Sequence, residues 1–192
     1  GDVYKRQYPK HTRIHFLYLG RIMKEKGIDE LFYAVRHLKK ENENFVLDLV
    51  GFFEDEYKEQ VKELEKHSIA HFYGFQSDPR PFYIEADCVV LPSYHEGMSN
   101  VLLEAAATGR PVITSNIPGC RESVENGKSG LLVEVKNKEM LYDAMKEMLH
   151  CSREEREQMG QAGREKMEKE FRKEVVVEKT VQSLREDEKR DF

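Results

Sequence analysis

The sequence predicts an α/β protein: a doubly wound, Rossmann-like parallel sheet of about six strands, with extra helices at the C-terminal end. Three observations support this fold class. Short apolar runs alternate with segments whose apolar residues recur every three to four positions. The apolar runs, such as CVVL at residues 88–91, are continuous rather than alternating, which is typical of strands buried on both faces. The 192 residues, 39 % of them hydrophobic, suffice for one domain with a core.

The predicted elements follow one another as strand and helix. The expected strands occupy residues 14–20, 44–51, 70–75, 88–93, 111–116 and 130–135. The expected helices occupy residues 27–42, 54–68, 78–86 and 99–109, and beyond Asn137 the chain is expected to be helical in two or three pieces. In the first helix the apolar residues share one face: Ile28, Leu31, Phe32, Val35 and Leu38. Ser99 or Asn100 is expected to cap the fourth helix, and Asp78 the third.

Composition excludes several classes of function. There are 31 basic and 36 acidic residues, and the resulting net charge of −5 argues against a nucleic-acid-binding protein. The three cysteines are far apart and form no C-x-x-C pair, so neither a disulfide framework nor a zinc site is expected. No segment approaches the roughly 18 apolar residues of a membrane span. A nucleic-acid partner is therefore not expected.

Ligands of doubly wound sheets bind beyond the carboxyl ends of the strands, which directs attention to the loops there. The first such loop, GRIMKEKG, carries Arg21 and Lys26 just before a helix. Two cations beside a helix N-terminus suit a phosphate group, although a solvated basic loop is an equally good interpretation of the spacing alone. The loop matches neither G-x-x-x-x-G-K-S/T nor G-x-G-x-x-G, which disfavours a nicotinamide cofactor.

The loop after the fourth strand begins the stretch HEGMSNVLLEAAATG, residues 95–109. The N–H groups of Gly97 to Asn100 precede a helix and would form a second anion site. Glu104 is the one charged residue in an otherwise apolar segment that is expected to be buried, and carboxylates are seldom buried without a partner. A structural salt bridge or a water-facing glutamate would explain it, but a carboxylate binding a ribose diol is favoured. Glu96 would face whatever is attached to the phosphates, so together these residues indicate a nucleotide-sugar.

Three segments carry a family resemblance: GRIMKEKG, EGMSNVLLEAAATGRPVITSNIPG and ESVENGKSGLLV. Over about residues 14–149 they resemble the donor-binding half of the retaining GT-B glycosyltransferases of group 1, which carry a Glu-x7-Glu motif. The resemblance implies that Arg21 and Lys26 bind the donor diphosphate and that Glu96, the expected catalytic residue, bonds the transferred sugar. It implies a ribose-binding role for Glu104. Backbone contacts to sugar or phosphate are implied for Gly97, Met98, Ser99 and Asn100.

The base is expected near the loops after Gly51 and Gly74, with Phe75 as a candidate contact. The sequence GFFEDE replaces the small Gly-x-Gly turn that the family commonly has there, and Met98 replaces a common aromatic residue. The resemblance implies a uridine or guanosine diphospho-sugar donor, most simply the uridine form, and retention of anomeric configuration. It implies no essential metal and no further cofactor. Open alternatives are a nucleotide-binding subunit that needs a separate acceptor-binding chain, an epimerase of the same architecture, and a purely structural domain.

The expected organisation has three parts. Residues 1–13 are expected to be a leader foreign to the domain, residues 14–170 to be the nucleotide-sugar-binding domain, and residues 171–192 to be a helix that crosses to a missing N-terminal acceptor-binding domain. An apolar stripe of Val177, Val181 and Leu184 would be the docking surface of that helix. The isolated chain is then expected to be inactive. The resemblance also suggests a glycan or lipid-linked acceptor, with the whole protein cytoplasmic or peripheral at the inner membrane face.

Overall fold

The computed structural model describes the backbone of residues 12–190 and the side chains of residues 12–183 and 185. The strands are β1 (Ile14–Leu19), β2 (Phe45–Val50), β3 (Ala70–Gly74), β4 (Cys88–Leu91), β5 (Val112–Ser115) and β6 (Gly130–Val133). The helices are α1 (Ile28–Lys40), α2 (Lys58–Lys66), α3 (Arg80–Glu85), α4 (Asn100–Ala107), α5 (Lys138–His150) and α6 (Arg153–Arg190). Single 3₁₀ turns lie at Lys24–Lys26 and Arg121–Ser123.

The six strands form one parallel sheet in the order β3-β2-β1-β4-β5-β6. This arrangement confirms the predicted α/β, Rossmann-like fold. The strand order reverses between β1 and β4, which is the point where doubly wound sheets bind ligands beyond the carboxyl ends of the strands. Binding residues are therefore expected near Gly20 and Pro92, where β1 and β4 end.

The core forms because helices cover both faces of this sheet. All six residues of β2 are buried, which is the pattern of a central parallel strand. The predicted apolar face of α1 is buried, from Ile28 to Leu38, and α1 packs beside α5 on one side of the sheet. On the other side, α4 packs against α6. In α2 the predicted inward residues Val61 and Leu64 are likewise buried.

The ends of α4 follow the sequence signals. The Ser99 hydroxyl accepts a hydrogen bond from the Leu102 N–H at 3.4 Å, so Ser99 rather than Asn100 is the capping residue. Gly109 follows the helix with a φ of 72°, the left-handed conformation that commonly ends a helix. At α3, Asp78 accepts a bond from the Arg80 N–H at 3.2 Å and also binds the Arg80 guanidinium. The N-cap of α3 is Pro79 rather than the predicted Asp78, which lies one residue earlier.

In the described residues the C-terminal segment contains two helices, within the predicted two or three pieces, and α6 continues through the expected boundary at residue 170. The side chains of Val177 and Val181 are exposed on it. The third member of the predicted stripe, Leu184, lies outside the described side chains, and residues 1–11 and 191–192 lie outside the described residues altogether. Every helix in the described range is too short or too polar to span a bilayer.

Candidate functional site

The loops after β1 and β4 touch through their backbones. Gly27 has a φ of 75°, and a Cβ placed on it would lie 2.1 Å from the Pro92 carbonyl oxygen. Only glycine allows both the left-handed conformation and this close approach. The Tyr94 N–H also donates to the Glu25 carbonyl at 2.8 Å. These contacts place the two loops that carry the predicted phosphate-binding and sugar-binding residues against each other.

Lys26 and Glu96 form an ion pair at this contact. The Lys26 Nζ lies 2.5 Å from Glu96 Oε1, and the two side chains are 19 % and 13 % exposed. The Ser93 hydroxyl donates to the same carboxylate oxygen at 2.8 Å. Two residues that the sequence assigned to phosphate and to sugar are therefore neighbours, 70 positions apart in the chain. Sequence reasoning missed Ser93, which is a small buried residue with no pattern of its own.

Arg21 lies in the same loop as Lys26 but does not join the pair. The buried Tyr18 hydroxyl donates to the Arg21 carbonyl, which fixes the backbone of this residue. Burial, and then the negative charge of Glu96, raise the pKa of Tyr18, so the hydroxyl stays a donor. The Arg21 guanidinium is exposed, 3.8 Å from Glu54. Its anchored backbone and exposed guanidinium suit a cation that reaches toward a ligand.

The segment from Gly97 to Asn100 leads into α4 with its backbone amides available. Among the described residues, these four N–H groups donate no hydrogen bond, and the Met98 side chain is exposed. Free amides at a helix N-terminus are suited to anions. The loop is supported from behind by Gly119, where a Cβ would lie 2.1 Å from the Gly97 carbonyl oxygen. The Gly119 N–H donates to Glu122 at 2.8 Å, which holds the supporting turn.

Two cavities border helix α4. One of about 640 Å³ lies between the loop, the Arg121–Ser123 turn and α6, and it is lined by Glu96, Gly97, Met98, Leu103 and Phe171 among others. The second, of about 540 Å³, lies between α4 and the loop before α3. Its lining residues are Ser77, Asp78, Pro79, Arg80, Tyr83, Glu104, Ala107 and Thr108. The predicted sugar-binding and ribose-binding carboxylates thus line separate cavities.

The structure corrects the expectation that the segment around Glu104 is buried throughout. Helix α4 buries Leu102, Ala105 and Ala106, whereas Glu104 is exposed. Glu104 lies about 200° around the helix from Leu102, on the side that the sheet does not cover. An exposed carboxylate needs no buried partner, so the sequence argument from desolvation does not apply. Glu104 remains accessible to a ligand in the second cavity.

An aromatic pair marks the region expected for the base. Phe75 is 69 % exposed and Phe52 is 44 % exposed. Their rings meet edge to face with centroids 6.4 Å apart. Phe52 lies in the GFFEDE segment, which replaces the family's Gly-x-Gly turn and for which no base contact was predicted by residue. An aromatic residue directly after a strand-ending glycine was the signal that could have identified it.

Tyr83, on α3, lines the same cavity as Glu104 and was not identified from the sequence. Its side chain is 2 % exposed, and its hydroxyl has no hydrogen-bond partner among the described residues. Burial and then the neighbouring Glu104 carboxylate raise its pKa. No three His, Cys, Asp or Glu side chains in the described part of the chain are grouped so that they could hold a metal ion.

Comparison with known proteins adds to this geometry. The family described as "Glycosyl transferases group 1" matches residues 2–166. The capsular polysaccharide biosynthesis glycosyltransferase CapM of Staphylococcus aureus is 30 % identical over 164 residues, which is 84 % of this chain and 43 % of CapM. The chain spans about half the length, or less, of the curated relatives it matches first.

Two solved structures are similar over most of the chain. Sucrose-phosphate synthase from Thermosynechococcus elongatus superposes with a TM-score of 0.76 at 28 % identity, covering 91 % of this chain and 45 % of that one. The C-terminal domain of a group 1 family glycosyl transferase, LpcC, from Francisella tularensis superposes with a TM-score of 0.69 at 27 % identity. There the match covers 82 % of this chain and 86 % of that domain.

Proposed function

Because the chain belongs to the group 1 glycosyl transferases, we propose that it is the donor-binding half of a glycosyltransferase that uses a nucleoside-diphosphate-sugar. The sugar would pass to a glycan or lipid-linked acceptor with retention of configuration. The observation that carries the proposal is the Lys26–Glu96 pair at the β1/β4 crevice, beside the free amides of residues 97–100. The match to an isolated C-terminal domain supports the assignment to the donor half.

The positions of Lys26, Glu96 and Arg21 imply a different role for each side chain in donor binding. Before a donor binds, the Lys26 ammonium is neutralised by Glu96. A diphosphate at the neighbouring amides would compete for this ammonium and would attract the exposed Arg21 guanidinium. The Glu96 carboxylate, still held by the Ser93 hydroxyl, could then accept hydrogen bonds from hydroxyls of the transferred sugar. The cations and amides would stabilise the negative charge that develops on the departing diphosphate.

The nucleoside would extend from the diphosphate toward the loops after β2 and β3. Glu104 can accept hydrogen bonds from both hydroxyls of a ribose, because its carboxylate has two oxygens and is accessible. The exposed rings of Phe52 and Phe75 offer apolar surface for a base. A uracil base is proposed, so uridine diphosphate is the natural probe and guanosine diphosphate the comparison. The acceptor-binding groups would come from a second domain.

The test is calorimetric titration of the chain with uridine diphosphate. We expect Glu104→Ala to weaken binding by about 10- to 100-fold, because two hydrogen bonds to a charged group are lost. Arg21→Ala should weaken it by about tenfold, and less at high salt. Matched controls are Glu147→Ala and Lys66→Ala, exposed charges near the ends of α5 and α2, at the opposite edge of the sheet. Undiminished binding in both site variants would remove the assigned site.

The proposal also concerns turnover. Half of the reaction centre would lie in the acceptor-binding domain, so this chain alone should bind the donor without transferring its sugar. The same preparations can be incubated with a uridine-diphosphate-sugar and a simple sugar acceptor, and the products separated by chromatography. Transfer by this chain without any added protein would contradict the proposed division of labour.

A further inference from the structure

The unpaired hydroxyl of Tyr83 is unusual in its setting. Most buried polar side-chain atoms have a hydrogen-bond partner, because leaving one without a partner costs free energy. The Tyr83 side chain is 2 % exposed and its hydroxyl oxygen is inaccessible to solvent, yet it makes no hydrogen bond of good geometry among the described residues, and the Glu104 carboxylate is the nearby acceptor that acts on it. The Tyr83 hydroxyl can therefore still donate a hydrogen bond, and solvent water does not reach it to accept one.

The surroundings of Tyr83 restrict that acceptor. Tyr83 and Glu104 line the same cavity between α3 and α4, and the Glu104 carboxylate is the charged group that acts on the Tyr83 hydroxyl. The backbone of Tyr83 cannot easily shift, because the buried Arg110 guanidinium donates to its carbonyl oxygen at 2.9 Å and to the Ile84 carbonyl oxygen at 2.7 Å. The tyrosine is the fixed member of the pair, and the exposed glutamate is the movable one.

We propose that Tyr83 is a positioning residue for Glu104: its hydroxyl donates to the Glu104 carboxylate once a ligand diol occupies the cavity. This inference rests on the proposed function, since it takes the ribose of a nucleoside diphosphate as the ligand of Glu104. A carboxylate has about four lone-pair sites, so it can accept from two ribose hydroxyls and from Tyr83 together. The tyrosine then holds the carboxylate in the rotamer that the diol needs and adds one hydrogen bond to the bound state.

A purely structural role for the hydroxyl makes a different prediction. If it stabilised the fold, replacing Tyr83 by phenylalanine would lower the midpoint of thermal unfolding. Because the hydroxyl is buried and unpaired in the ligand-free chain, Tyr83→Phe should leave this midpoint unchanged or raise it. The phenylalanine ring fills the same volume, so the variant keeps the packing of α3. The control is Tyr142→Phe, which removes a hydroxyl that donates to Glu41 on the surface.

The test compares uridine diphosphate with 2′-deoxyuridine diphosphate by calorimetric titration of four chains: wild type, Tyr83→Phe, Glu104→Ala and the double variant. The wild type should prefer the ribose form, and Tyr83→Phe should lose about fivefold of that preference, as expected for one hydrogen bond. Glu104→Ala should abolish the preference. In the double variant the Tyr83 substitution should have no further effect, because it acts through Glu104.

The outcomes separate the two proposals. A Tyr83→Phe variant that keeps the full ribose preference, while Glu104→Ala loses it, overturns the positioning role and leaves the donor site intact. Equal loss of affinity for both ligands with a lower unfolding midpoint shows a structural role and also overturns it. An effect of Tyr83→Phe that persists in the Glu104→Ala background shows that Tyr83 does not act through Glu104. Unchanged binding of both ligands by Glu104→Ala overturns the proposed ribose site itself.

Discussion

At the scale of single residues, the pair of Lys26 and Glu96 sets the charge of the binding edge before any ligand arrives. The two groups are mostly buried, so removing one partner leaves a charge without compensation in a poorly solvated place. We expect Lys26→Met and Glu96→Gln each to lower the free energy of unfolding by about 2 kcal/mol. The double variant should lose less than the sum, because it buries no unpaired charge. Urea denaturation of the ligand-free chains measures all three values, and strict additivity would contradict a coupled pair.

Residue types and their order predicted that both residues belong to the site, but not that they pair or what surrounds them. Lys26 and Glu96 were identifiable because each stands in a loop that follows a strand, and strand ends meet at one edge of a parallel sheet. Ser93 and Tyr83 were not, because a small polar residue and a helix tyrosine carry no distinctive spacing. The exposure of Glu104 was also missed. Apolar neighbours in sequence do not show which side of a short helix the sheet leaves uncovered.

At the scale of elements, the turn around Gly119 supports the loop that presents Glu96 and Gly97. A Cβ on Gly119 would lie 2.1 Å from the backbone carbonyl oxygen of Gly97 and 2.5 Å from that of Glu96. Gly127 has a similar positive φ, 79° against 88°, but no atom within 4 Å of the same position. The two glycines therefore separate conformational strain from steric contact.

Substitution of each glycine by alanine tests this support. Gly127→Ala should cost about 1 kcal/mol of stability, the usual penalty for a left-handed alanine, and should keep the affinity for uridine diphosphate. Gly119→Ala should cost about 3 kcal/mol, because strain and a backbone clash add, and should weaken binding by displacing Glu96. Chemical denaturation and calorimetric titration report the two effects. Equal behaviour of both variants would mean that the turn does not support the loop.

The elements themselves were largely predictable. Continuous apolar runs gave the six strands, and three-to-four spacing gave α1 and α2 with their buried faces. The length of α6 was less well predicted: its polar, evenly charged sequence has no stop signal after residue 153, so it continues as one helix to residue 190. The apolar side chains of Val177 and Val181 remain exposed along it. Docking of that stripe on an acceptor-binding domain stays a prediction.

At the scale of the whole molecule, binding residues and stabilising side-chain bonds lie at different edges of the sheet. The carboxyl edge holds the candidate donor site. Near the opposite edge, the ring nitrogen Nδ1 of His15 lies 2.7 Å from the Asp48 carboxylate. The backbone N–H of His15 donates to the carboxylate of the buried Asp87 at 2.8 Å. These bonds join β1 to β2 and to the residue before β4. His15 and Gly20 are five residues apart, about 16 Å along a strand, so stabilising groups and binding groups are spatially separated.

This separation predicts a pH-dependent stability that leaves binding unaffected. The hydrogen bond to Asp48 raises the pKa of His15 above its ordinary value of 6.5, although burial opposes it. A raised pKa in the folded state means that the charged pair stabilises the fold fully below about pH 6.5 and that this contribution is lost as the pH rises through the folded-state value. His15→Gln should therefore lower the unfolding midpoint more at pH 5.5 than at pH 9.

The control is His67→Gln, which removes an exposed histidine at the end of α2 and should change the midpoint little at either pH. Thermal unfolding of wild type and both variants across this range measures the effect. Calorimetry at pH 7.5 should give the same affinity for uridine diphosphate in wild type and His15→Gln, because the donor loops leave the sheet at its other edge. Weaker binding in His15→Gln would show that the two edges are coupled through the strands, and the donor site could then no longer be treated as independent of the sheet that carries it.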